Sequence, residues 1–157
     1  MKIEIGKPAP DFNLYDSDKN LVTLSELKGQ NVLLLFFPLA FTSVCTAELC
    51  GVRDNISLYD KANATVLGIS VDSTYVLAKF KEEQHYNFRL LSDFNKEASA
   101  AYDSLDDIWG SMRMKGVSKR SAFVIDKGGS VRYAEILAHA GLVPDFGVIE
   151  KILADLR

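Results

Sequence analysis

The 157 residues carry a formal net charge of −3, with 48% apolar and 25% charged side chains, which is ordinary usage for one globular domain spanning residues 1–157. A chain of this length buries roughly 68–70% of its unfolded surface, so it needs no staple to fold. The mildly acidic balance gives no reason to expect nucleic-acid binding, nine Phe, six Tyr and one Trp exclude a solvated coil, and the longest apolar run, Val32 to Phe41 with Pro38 inside it, is far short of the roughly 20 residues a spanning helix needs.

Met1-Lys2-Ile3-Glu4-Ile5-Gly6 has no apolar stretch of the signal-peptide kind, which predicts a cytoplasmic protein. Phe12-Asn13-Leu14 and Leu21-Val22-Thr23-Leu24 read as a hairpin around the polar turn Asp16 to Asn20. Ser25 to Gly29 reads as one helical turn ended by glycine. Val32 to Phe37 is continuously apolar, the pattern of a strand buried on both faces. A long helix is predicted from Thr42 or Ser43 to about Ala62, with Leu49, Val52, Ile56 and Tyr59 at spacings of three and four. Thr65 to Ser70 is a second buried strand, and Ser73 or Thr74 caps a helix to about Gln84. Arg89-Leu90-Leu91 is a short extended piece, and Asn95 is expected to cap a helix through Tyr102. Gly110 to Gly116 reads as a mobile loop. Ser121 to Ile125 and Val131 to Ile136 flank Asp126-Lys127-Gly128-Gly129-Ser130, a strong hairpin signal. Asp145 is expected to cap a last amphipathic helix to Leu156. A leading hairpin, then strands alternating with helices and ending in a hairpin and a helix, predicts an α/β fold, a mixed central sheet flanked by helices. The thioredoxin fold has this order, though the order alone does not single it out.

Two cysteines, Cys45 and Cys50, stand near the start of the long helix. Unpaired N–H groups and the positive end of the helix dipole stabilise a thiolate in the first turn, and the thiolate is the nucleophile. Cys45 is therefore a candidate reactive residue. It is equally readable as a buried thiol packing as a small hydrophobe. Thr42, three residues earlier, places a hydroxyl where it can bond the sulfur or a substrate oxygen. Residues five apart in an intact helix have Cα atoms roughly 8–9 Å apart, whereas a disulfide needs less than about 7 Å. A Cys45–Cys50 bond thus requires the first turns to unwind; the other reading of Cys50 is an inert residue on the core face beside Leu49.

Pro38-x-x-x-Thr42-x-x-Cys45 matches the P-x-x-x-T-x-x-C pattern of peroxiredoxins, and the chain resembles that family over nearly its whole length. The strand ending Phe36-Phe37-Pro38, Phe41 before Thr42, and Glu48 three residues after the cysteine all agree. So do Gly6-Lys7-Pro8-Ala9-Pro10-Asp11-Phe12, Leu90-Leu91-Ser92-Asp93 and Arg120-Ser121-Ala122-Phe123-Val124-Ile125-Asp126. The resemblance implies a thioredoxin-like fold and a thiol-dependent peroxidase acting on hydrogen peroxide and organic hydroperoxides without any cofactor. It implies that Cys45 is the peroxidatic cysteine and that Thr42 orients sulfur and peroxide. Pro38 is then the ring shielding the sulfur from water, and Arg120 the guanidinium that favours the thiolate. Glu48 is expected to hold the arginine in place; its alternative is a solvated helix residue favoured by the dipole.

Cys-x-x-x-x-Cys resembles the Q-type (bacterioferritin-comigratory) members, in which the second cysteine, here Cys50, resolves the sulfenic acid within the chain. Pro-Leu-Ala-Phe-Thr also resembles the E-type, which uses one essential cysteine, and Ser43 stands where the Q-type often has proline. The Q-type cycle implies a thioredoxin- or glutaredoxin-type reductant for a monomer or homodimer. The rivals are a one-cysteine peroxidase resolved by an external thiol and a redox sensor with little turnover. Cys45, Cys50, His85 and His139 are too scattered for a zinc site. No nucleotide cofactor is indicated, because no helix follows Gly128-Gly129.

Overall fold

A computed structural model of the chain describes residues 3–139 and 141–156, so the opening Met1 and Lys2 lie outside the described residues. The leading hairpin pairs β1 (Asn13–Asp16) with β2 (Leu21–Thr23). Its turn is closed by the Asp16 carboxylate, which accepts the N–H groups of Asp18 and Asn20 at 2.9 Å each. One 3₁₀ turn (Leu24–Leu27) leads to Gly29, whose φ of +99° is open to glycine at no steric cost.

The central strand is β3 (Asn31–Phe36), with every residue buried. It pairs in parallel with β4 (Ala64–Ser70), which pairs in parallel with β5 (Arg89–Ser92). On its other side β3 runs antiparallel to β8 (Ser121–Ile125), the inner strand of a hairpin with β9 (Val131–Ile136). The sheet order is β2-β1-β5-β4-β3-β8-β9. Alternation along β3 divides the core. Leu33, Leu35 and Phe37 pack with Cys45, Leu49, Leu77, Phe80, Ile149 and Leu153 on one face; Val32, Leu34 and Phe36 pack with Phe12, Leu14, Ala98 and Tyr102 on the other. A sheet covered by helices on both faces needs this continuously apolar strand. The mixed sheet is the one expected from the order of elements.

Three expectations are corrected. The long helix is two: α1 (Ser43–Asp54) and α2 (Ile56–Lys61). Between them Asn55 bends the chain by donating its side-chain N–H to the Gly51 carbonyl at 2.8 Å and its backbone N–H to Val52 at 3.1 Å, the competition with regular helix bonding that makes Asn a poor helix interior. After α3 (Thr74–Gln84), which is capped by Ser73 as expected, the short α4 (Glu97–Ala101) is not capped by Asn95. Lys96 occupies that place with φ +64°, and the Asp93 carboxylate receives the N–H groups of Ala98 (3.0 Å) and Ser99 (2.6 Å). The stretch read as a mobile loop lies within a small hairpin. There β6 (Leu105–Asp106) pairs with β7 (Val117–Ser118), and Trp109 and Met114 exchange backbone hydrogen bonds nearer the tip. The last helix, α5 (Phe146–Leu156), begins beside Asp145, whose carboxylate accepts the Val148 N–H at 3.2 Å. No helix among the described residues is long and apolar enough to cross a membrane.

Asp93 is 1% exposed and joins the end of β5 to α4. Replacing it with Ala strips two buried N–H groups of a charged acceptor, and a loss of roughly 2–3 kcal/mol is expected from the shift in the urea unfolding midpoint.

Candidate active site

Two ends of the sheet converge on Cys45. Phe36, the last residue of β3, is paired with Ser121, the first of β8. The chain leaving β3 and the residue entering β8, Arg120, are therefore neighbours despite their distance in sequence. Phe37 extends the ladder by one bond to Ile69 (2.9 Å), and the buried Pro38, having no N–H, ends it. The chain then turns sharply. The Ala40 N–H donates to Asp72 at 2.8 Å, and the Thr42 hydroxyl donates to the Leu39 carbonyl at 2.8 Å. Phe41 takes φ +68°, an uncommon and strained conformation for a bulky side chain. Its ring rests on Phe80 with centroids 4.9 Å apart. Thr42 stands at the N-cap of α1, its carbonyl accepting from both the N–H and the hydroxyl of Thr46.

Cys45 falls in the first turn of α1, where backbone N–H groups have no helical partner, and its side chain is wholly buried. Arg120, 2% exposed, brings Nη2 to 3.1 Å from the Cys45 Sγ and donates from Nη1 to Glu48 Oε1 at 2.6 Å. Glu48 is one helical step beyond Cys45, so residues 45 and 48 face the same way. Both oxygens of Glu48 are out of reach of water, and Oε2 has no partner among the described residues. Burial pushes its carboxyl up to about 7, against the opposing pull of the Arg120 guanidinium. The structure thus brings Cys45, Arg120 and Glu48 into one buried cluster. Thr42 begins the same helix, but its hydroxyl proton is directed to Leu39. Pro38 lines a small cavity of about 170 Å³ with Trp109, Lys119, Arg120, Leu137 and His139; Cys45 and Thr42 are not in its walls.

Cys50 is half-buried on the same intact helix, and both cysteines are free thiols. It packs against the core, as one reading expected, but in polar company. Its Sγ lies 3.5 Å from Gln84 Oε1 and 3.7 Å from the Tyr86 hydroxyl. Neither neighbour is legible in the sequence, because each reaches Cys50 across more than thirty residues. His85 is exposed at the C-cap of α3, and His139 is exposed. No group of three or more His, Cys, Asp or Glu residues is placed to hold a metal ion among the described residues.

The AhpC/TSA family pattern matches residues 5–134. Peroxiredoxin Bcp of Escherichia coli is 36% identical over 135 residues, covering 83% of this chain and 84% of that one. Alkyl hydroperoxide reductase E of Mycobacterium tuberculosis is 36% identical over 137 residues, covering 85% and 86%. The solved structure of peroxiredoxin Q from Xanthomonas campestris superposes with a TM-score of 0.80 at 26% identity, covering 98% and 94%. The chain belongs to the AhpC/TSA family: it is a peroxiredoxin of the Q, or bacterioferritin-comigratory, type, a thiol-dependent peroxidase with the thioredoxin-like fold.

The raised pKa of Glu48 has a direct consequence for stability. The folded protein holds the Glu48 proton up to about pH 7, while the unfolded chain releases it near 4.5, so this group makes stability fall as pH rises between those values. Glu48→Gln keeps an acceptor for Arg120 and removes the titration. Its unfolding free energy is expected to lose that downward slope relative to the unsubstituted protein, as read by urea denaturation at a series of pH values.

Proposed function

We propose that Cys45 is the peroxidatic cysteine of this enzyme. The observation that carries the reading is the buried Arg120 guanidinium, 3.1 Å from the Cys45 sulfur and anchored on Glu48. A fixed cation and the first-turn N–H groups favour the thiolate and face the charge that develops on a peroxide. The thiolate attacks one peroxide oxygen and the O–O bond breaks. The leaving oxygen departs with the electron pair and takes a proton from water, giving water or an alcohol. Cys45 is left as a sulfenic acid. Thr42, its hydroxyl proton given to Leu39, keeps oxygen lone pairs to accept the peroxide O–H. Pro38 shields the sulfur, and Glu48 positions Arg120.

In the second step Cys50, as resolving cysteine, attacks the Cys45 sulfur. An S–S bond forms, the S–O bond breaks, and the departing hydroxide leaves as water. The separation of the two residues on the intact α1, roughly 8–9 Å between Cα atoms, makes unwinding of the first turns part of this step. A thioredoxin- or glutaredoxin-type dithiol then reduces the disulfide by thiol exchange. We place this cycle in a single cytoplasmic domain, monomeric or homodimeric.

One equivalent of hydrogen peroxide added to the reduced protein is expected to remove two mass units and both free thiols without forming a covalent dimer. A gain of one oxygen with Cys50 still free would instead assign a one-cysteine cycle resolved by an external thiol. No reaction within minutes would contradict peroxidase action at Cys45.

A further inference from the structure

The surroundings of Cys50 are built from groups that the peroxidatic step does not use. The Tyr86 hydroxyl lies 3.7 Å from the Cys50 sulfur, within reach of that large atom, and also donates to the Thr46 carbonyl at 3.4 Å. Thr46 lies between the two cysteines, in the turn of α1 that has to open. The Cys50 S–H points to Gln84 Oε1 at 3.5 Å. Arg53, one turn beyond Cys50, donates to the Gln84 backbone carbonyl, and its charge acts on both Cys50 and Tyr86. The titratable groups facing Cys50 are thus Tyr86 from the α3–β5 connection and Arg53 from α1, while Cys45 acts on Tyr86 from the start of the same helix.

Tyr86 itself is rigidly held. It is 4% exposed, with its ring against Phe80 (centroids 5.1 Å apart) and Phe88 (5.4 Å). Burial, the bond to Cys50 and its charge push the phenol well above its ordinary value. It therefore stays a hydrogen-bond donor under the conditions in which the enzyme works.

We propose that Tyr86 takes part in the resolving step, its O–H turning from the Thr46 carbonyl to the Cys50 sulfur when that thiol gives its proton to solvent. The turn has two effects. It stabilises the attacking thiolate with a charge-assisted bond, and it frees a carbonyl in the segment that unwinds. The Cys50 thiolate then attacks the Cys45 sulfenic acid. The S–S bond forms, the S–O bond breaks, and the hydroxide that leaves takes up one proton from solvent, balancing the one Cys50 released. Gln84 ends α3 and Tyr86 lies in the connection to β5, both outside α1, so Cys50 is the stationary partner and Cys45 the one that travels.

This inference rests on Cys50 being the resolving cysteine. The test follows both steps after a pulse of hydrogen peroxide in the wild type, Tyr86→Phe and Cys50→Ser, trapping sulfenic acid with dimedone and counting disulfide by intact mass across pH. Phenylalanine keeps the ring packing, so the unfolding midpoint of Tyr86→Phe stays close to wild type. Sulfenic acid is expected to form in Tyr86→Phe at the wild-type rate. Disulfide formation is expected to slow roughly ten-fold, the effect of losing one hydrogen bond to a charged group, and its pH midpoint to move up. Wild-type rate and midpoint of disulfide formation in Tyr86→Phe would overturn the role of Tyr86 alone. A wild type that, like Cys50→Ser, keeps its sulfenic acid would overturn the two-cysteine cycle and this role with it.

Discussion

A guanidinium shut away from water imposes the strictest condition on this molecule. An isolated charge in a protein interior loses several kcal/mol of hydration, which only close, well-oriented partners offset. Arg120 finds them in Glu48 Oε1 and the Cys45 sulfur, both presented by the first turns of α1. The contacts that make burial of Arg120 tolerable are the ones on which the reactivity proposed for Cys45 rests. Burial of the charge and the proposed chemistry therefore draw on one cluster. The two partners share one cation, since the Glu48 carboxylate and the Cys45 sulfur both lie against the Arg120 guanidinium.

The rest of the fold delivers these groups to one place. The β3–β8 register sets Phe36 beside Ser121 and hence Arg120 beside the exit from β3. Pro38 stops the ladder, Phe41 turns the chain through a left-handed conformation, and the Leu39–Thr42 hydrogen bond closes the turn from which α1 starts. Asp72, at the end of β4, holds Ala40 and Ser70 together at 2.8 and 2.6 Å. Strain at Phe41 persists because these neighbours over-determine the turn. On the far side of α1, Cys50 rests on the end of α3 and the connection from it to β5. One helix thus has its start tied to the β8 strand through Arg120 and its middle tied to a different part of the sheet.

Much of this was legible from residue order. The unbroken apolar run of β3, the Asp126–Ser130 turn, and the Ser73 and Asp145 caps depend on local chemistry that a sequence displays, and the structure has them where expected. The Pro38-Thr42-Cys45-Glu48 spacing is likewise local. What was not legible depends on partners far along the chain or on fine competition between bonds. Asn55 looks like any polar residue on a helix until its side chain takes the Gly51 carbonyl. Asp93 outcompetes Asn95 because its carboxylate reaches the two N–H groups directly. Strands of two residues, as in β6 and β7, carry no periodicity to read. Nothing in the sequence marks Tyr86 out, and only the fold sets its hydroxyl against Cys50.

The most direct test of the account is a stopped-flow measurement of hydrogen peroxide reacting with reduced protein, comparing wild type with Arg120→Lys and following the single tryptophan, Trp109. Lysine keeps the charge but lacks the planar fork that reaches sulfur and carboxylate together. If the Arg120 bridge prepares Cys45, the second-order rate constant falls by roughly 100-fold or more, the usual effect of removing a donor aimed at developing charge. An unchanged rate constant in a folded Arg120→Lys protein would contradict it.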